Sequence, residues 1–105
     1  MMEPGTIVIA TLTNPHEKIW GALRQLKAEG VTLQGIRVDA FDDLIRQARH
    51  PEEAQVAVST TFYPMHRVVS VEWDETGADL ASFADHFRQK VGVTIQEYLS
   101  AKKKT

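Results

Sequence analysis

The chain has 105 residues, of which 43% are hydrophobic and 25% charged, with no cysteine and a formal net charge of -2. That is the size and composition of one globular domain, not of a disordered tail, a collagen-like chain or a coiled-coil rod. Lack of cysteine excludes disulfides and thiolate metal sites, and no apolar run exceeds four residues, so no membrane span is expected.

Met1 to Gly5 reads as a short leader with no cationic segment followed by an apolar one, so a cytoplasmic location is expected. Thr6 to Thr13 is a β-branched run too short for a stable helix, which predicts a strand. Asn14-Pro15-His16-Glu17 is a turn signal. Lys18 to Leu26 predicts a second strand, with Gly21 marking a sharp bend or a close backbone approach. Lys27-Ala28-Glu29-Gly30 is a connection in which Gly30 suits a positive φ. Val31 to Val38 predicts a third strand, and the alternation slips phase at Gly35, which suggests a bulge.

The period then becomes helical. Asp39 is a candidate N-cap, and Phe41, Leu44, Ile45 and Ala48 share one helix face up to the His50-Pro51 stop. Glu52 to Gln55 is a polar link. Gln55 to Tyr63 predicts a fourth strand with Val56, Val58, Thr60 and Phe62 on one face, ended by Pro64. Met65-His66-Arg67 is a connector into a fifth strand, Val68 to Trp73, with Val69, Val71 and Trp73 on one face. After the turn Asp74-Glu75-Thr76-Gly77, Asp79 reads as the cap of a helix holding Leu80, Phe83, Ala84, Phe87 and Val91, closed by Gly92. Thr94 with Glu97 forms a capping box for a last helix with Ile95, Tyr98 and Leu99. Bent, glycine-marked strands suit a small closed barrel, which would hide its own edges.

Charge is unevenly placed. Residues 40–79 hold eight acidic and three basic side chains, whereas residues 80–105 hold five basic and two acidic. A duplex binder needs a basic surplus, so no DNA duplex partner is expected. Lys102, Lys103 and Lys104 read as a solvated end.

Three segments carry a family resemblance: Ile7 to Leu12, Ile19-Trp20-Gly21-Ala22-Leu23 with Val31-Thr32-Leu33, and Phe62 to Val71. Together they resemble the Sm-like family of small five-stranded barrels, which includes the Sm proteins and the Hfq-type RNA chaperones. The resemblance implies an α+β, β-rich fold. It would be a five-stranded bent antiparallel Sm-like or SH3-like barrel, with barrel strands within 6–38 and 56–73, a helical insertion at 39–50 and C-terminal helices within 79–100. It also implies a non-catalytic binding module that self-associates as a homo-oligomer and takes RNA or a protein partner. His66 falls where the Hfq-type connector carries its His. The family's Asn-bearing base pocket is replaced by Lys27-Ala28-Glu29-Gly30, and its Arg-Gly connector by Met65-His66.

The candidate RNA or ligand contacts are therefore His66, Arg67 and Lys27, and the candidate interface residues are Tyr63, Met65 and Trp20. Arg67 suits bidentate binding of an oxyanion, against the plainer reading that it pairs with a carboxylate such as Glu72. Trp20 and Trp73 are large rings better suited to packing than to stacking a base. Asp42-Asp43 and Glu72-Asp74-Glu75 read as solvated carboxylates with nothing to make them converge in a cleft. His16, His50, His66 and His86 are far apart in sequence, so no metal or other cofactor is expected. No nucleophile elbow or glycine-rich phosphate loop occurs, and no enzymatic activity is expected. A protein-interaction or scaffolding domain without a nucleic-acid role is the alternative, favoured by the acidic middle segment.

Overall fold

The computed structural model describes residues 2–53, 57–77 and 80–103. It is an α+β fold of five antiparallel strands in the order β4-β3-β2-β1-β5, with three α-helices among the described residues. The strands are β1 (Ile7–Leu12), β2 (Glu17–Lys27), β3 (Gly30–Arg37), β4 (Ser59–Pro64) and β5 (Val68–Trp73). The helices are α1 (Phe41–Arg49), α2 (Phe83–Val91) and α3 (Ile95–Lys103).

The sheet is buried on both faces. On one, Val8, Ala10, Leu12, Ile19, Leu23, Val31 and Leu33 form a core that Tyr63, Val68 and Val71 of the two edge strands partly complete. On the other, Ile7, Trp20, Ala22 and Ile36 pack against Phe41, Leu44 and Ile45 of α1, Phe87 of α2, and Ile95 and Leu99 of α3. Period-two alternation sends neighbouring side chains to opposite faces, so a strand buried on both reads as almost continuously apolar. That explains Gly35. The change of phase between Leu33 and Ile36 is a change of core, not a bulge, and Gly35 stays in register with both Gly21 and Ser59. The bulges lie instead at Arg24 of β2 and Val69 of β5, each skipped in the pairing.

The sheet is curled but not closed. A flat sheet would hold β4 and β5 about 19 Å apart, at about 4.8 Å per strand. The turn Met65–Arg67 that joins Pro64 to Val68 spans at most about 14 Å. The sheet must bend to meet that constraint. The Met65 N–H donates to Glu29 O in the β2–β3 hairpin, and the Thr13 N–H donates to Arg67 O, both at 2.8 Å. One short turn thus holds two hairpin ends together. No ladder joins β4 to β5, so the edges that closure would have hidden remain.

Glycines permit the bend. Gly21 and Gly35 are paired across β2 and β3, and a Cβ on Gly21 would stand 2.6 Å from the Gly35 Cα. Gly30 does not have a positive φ. The hairpin loop is Ala28-Glu29, and Gly30 is constrained instead by the Tyr63 carbonyl oxygen and the Phe62 ring, 2.3 and 2.7 Å from where its Cβ would lie.

Several helix boundaries differ from the sequence reading. A 3-10 turn at Val38–Ala40 precedes α1, so Ala40 and not Asp39 occupies its N-cap, and Asp39 pairs with Arg37 at 2.9 Å. The fourth strand starts at Ser59, with Val58 outside it, while Gln55 and Val56 lie outside the described residues. The proposed cap Asp79 also lies outside them. Ser82 caps α2 by accepting from the Asp85 N–H at 3.0 Å, and Leu80 precedes the helix with 79% of its surface exposed. Gly92 ends α2 at φ 94°, the left-handed conformation expected of it. The Thr94–Glu97 capping box forms as expected, with the Glu97 N–H donating to Thr94 Oγ1 at 3.1 Å.

Candidate functional site

The turn between the edge strands is where most of the singled-out residues meet. Arg67 is half-buried and bonded through its Nε and one terminal nitrogen. Its Nε donates to Thr13 O at 3.2 Å, and its terminal nitrogen donates to Pro15 O at 3.0 Å and to Glu17 Oε1 at 2.8 Å. Its carboxylate partner is Glu17 and not Glu72, because the curl brings the β1–β2 turn against the connector, while Glu72 lies in register with Ile9 farther along β5. Arg67 is thus a clamp that fastens β5 to the β1–β2 turn.

Glu17 also faces Arg37 Nε at 4.0 Å, and Arg37 bonds Asp39. A cleft of about 280 Å³ opens here, lined by Glu17, Ile19, Arg37, Ser59 and Tyr63 among others. Its cationic groups already have carboxylate partners, so its geometry offers no surplus charge to a polyanion. Glu17 was missed as a site residue in the sequence. Its only signal there was its place in the turn, 50 residues from the arginine it holds.

The other candidates stand outside this ion-pair network. His66 is exposed beside Arg67 and makes no ion pair or side-chain hydrogen bond among the described residues. Met65 and Tyr63 are partly buried on the same connector and strand end. Lys27 is exposed at the end of β2, paired with Gly30, whose other neighbour is Pro64 beside the connector. Trp20 is 1% exposed and lies in the helix-side core, its ring 5.2 Å from Phe41 in an edge-to-face contact.

The carboxylates do not gather. Asp42, Asp43, Glu72 and Glu75 are exposed, and among the described residues no three His, Asp or Glu side chains form a metal-binding group. Asp74 departs from the solvated reading. It is half-buried, accepts the Trp20 indole N–H at 2.9 Å, and accepts the Phe83 and Ala84 N–H groups at 3.0 and 2.7 Å. It therefore caps α2 and fixes the helix to the sheet.

The two edge strands present the main unpaired surface. Each is six residues long. β4 carries no charged residue and β5 carries only Glu72. Phe62 is 53% exposed on β4, and Val69 and Trp73 are 63% and 49% exposed on β5. No helix among the described residues is long and apolar enough to cross a membrane. Comparison of the chain with models of known protein families, with curated proteins and with solved structures finds no match.

Proposed function

We propose that this protein is a non-catalytic binding module that self-associates by pairing β4 of one copy with β5 of the next. The observation that carries this reading is the pair of open, largely uncharged edges. Natural sheets protect an exposed edge with lysine, proline or inward charge, because unpaired N–H and C=O groups template further pairing. Here β4 has no charge, and its sole proline is its last residue. Beyond the Val69 bulge, Ser70 to Trp73 pair regularly with β1 and leave their outer side unpaired. The two edges are equal in length and opposite in position, so head-to-tail pairing extends one continuous sheet. The strand order and the three-residue connector support the Sm-like resemblance, in which such edges assemble a ring.

RNA binding is the weaker part of the reading. Arg67 is already used within the fold, which leaves only His66 and Lys27 of the candidate contacts free to act. Sedimentation velocity from micromolar to millimolar concentration tests the assembly. The wild type is expected to sediment as an oligomer, and Phe62→Lys with Val69→Lys, which sets like charges against each other across the pairing, is expected to yield folded monomers. A wild-type monomer across that range sinks the proposal. Titration with single-stranded RNA at low and physiological salt, with His66→Ala and Lys27→Ala beside wild type, decides the RNA form. Binding unchanged by both substitutions, or none at low salt, leaves protein pairing alone.

A further inference from the structure

Where the first turns of α1 and α2 meet, a second cleft of about 230 Å³ is lined by Phe41, Asp42, Ala81, Ser82, Phe83 and His86. Its volume equals that of roughly seven or eight waters in the liquid, enough for a group of a few heavy atoms. Three of its six lining residues carry aromatic rings. The Phe41 centroid lies 4.9 Å from Phe83 at an interplanar angle of 75°, and 5.6 Å from His86 at 64°. The rings thus meet edge-to-face and not as a flat stack. Trp20 backs Phe41 and Phe83 from the core, at 5.2 and 6.1 Å, and so restrains their positions.

The electrostatics of the cleft favour a cation. Among the described residues no lysine or arginine lines it, whereas Asp42 does. Asp42 makes no ion pair or side-chain hydrogen bond among the described residues, because Arg46 turns to Asp43 instead. Helix N-termini oppose a cation, each with a partial charge of about half a unit. Asp43 is paired with Arg46 and Asp85 faces Arg88 at 4.0 Å, so the charges set against the two N-termini are Asp42 in the first turn of α1 and Asp74, which accepts the first N–H groups of α2. Among the described residues only one carboxylate and one imidazole line the cleft, too few donors for a metal ion. An alkylated ammonium, with low hydration and a diffuse charge, gains from ring faces what a bare ammonium would seek from oxygen ligands.

We propose that this cleft binds a small organic cation, an alkylated ammonium group, with Asp42 supplying the charge and Phe41, Phe83 and His86 the aromatic walls. The site is independent of the strand edges and does not require self-association.

The test uses tetramethylammonium and choline chlorides, titrated into the 15N-labelled full chain, with sodium chloride as the ionic-strength control. The expected result is saturable shifts centred on Asp42, Ser82, Phe83 and His86. The Asp42→Asn variant, altered at an exposed position, is expected to bind about five- to tenfold more weakly. Phe83→Leu should weaken binding similarly, with the amide spectrum confirming the fold. The neutral isostere of choline, 3,3-dimethylbutanol, is expected to bind at least fivefold more weakly than choline. No saturable shift at tens of millimolar, equal binding of the neutral isostere, or undiminished binding by folded Asp42→Asn overturns the proposal.

Discussion

The indole N–H of Trp20 donates to Asp74 across 54 residues of sequence, joining the middle of β2 to the exit of β5. The same carboxylate accepts the Phe83 and Ala84 N–H groups, so one side chain links strand, strand and helix. Asp74→Ala would strand a buried indole donor and two helix N–H groups at once. We expect it to lower stability by about 2–3 kcal/mol. Asp74→Asn, which keeps one acceptor oxygen, should cost less. Urea unfolding followed by far-UV circular dichroism checks this, and a change below about 0.5 kcal/mol for Asp74→Ala would contradict the linking role.

Gly21 and Gly35 face each other where β2 and β3 cross most closely. A methyl at either would press on backbone, which cannot rotate away as a side chain can. Gly21→Ala and Gly35→Ala are each expected to cost about 3 kcal/mol or more. Gly77→Ala is the control, since its Cβ would meet only Leu80 O, at 4.0 Å. Thermal unfolding of the three variants should separate them clearly. A Gly35→Ala protein as stable as the control would mean that the strands can part at little cost.

These contacts show which parts of the fold could be read from sequence. Strand and helix identities followed from periodicity, and Gly92 and the Thr94–Glu97 box were visible because caps are local chemistry. Gly21 was recognisable as a point of close approach, but its partner was not, because pairing register is non-local. Arg67 does pair with a carboxylate, but with Glu17 in place of Glu72, and Asp74 is engaged where its sequence reads as solvated, both for the same reason. Their partners, Glu17 and Trp20, lie 50 and 54 residues away and meet them only after the sheet curls. Open edges in place of a closed barrel were equally hidden, since closure depends on how far five strands bend and not on which strands exist.

The Arg67 clamp makes a prediction that distinguishes folding from ligand binding. With both side chains about one-fifth exposed, the Arg67–Glu17 pair is screened only in part. Arg67→Ala also leaves the Thr13 and Pro15 carbonyls without this donor, so a loss of about 1–2 kcal/mol is expected. A double-mutant cycle with Glu17→Ala should show favourable coupling. Arg67→Lys should fail to restore stability, because an ammonium cannot reproduce the forked contacts to two carbonyls and a carboxylate. Additive single effects would show that Arg67 acts without Glu17. In RNA assays, Arg67→Ala must therefore be compared at a temperature where both proteins are fully folded.

The capping box at the start of α3 supplies a pH prediction. Glu97 Oε1 accepts the Thr94 N–H and its hydroxyl, both at 3.0 Å, and these bonds hold the carboxyl below its ordinary value of 4.5. The backbone N–H makes the larger contribution and the hydroxyl the next. Because the folded chain favours the ionised form, the bonds add stability above the carboxyl's unfolded value. That stability is lost as pH falls through the lower, folded value. Helix α3 should therefore loosen in acid before the strands do, its amides near Thr94 and Glu97 exchanging earliest. Glu97→Gln should remove most of this pH dependence while keeping an acceptor for the Thr94 N–H. Carbon-detected titration of the Glu97 carboxyl provides the direct measurement, and a midpoint at or above the ordinary value would show that the box does not hold the ionised form in solution.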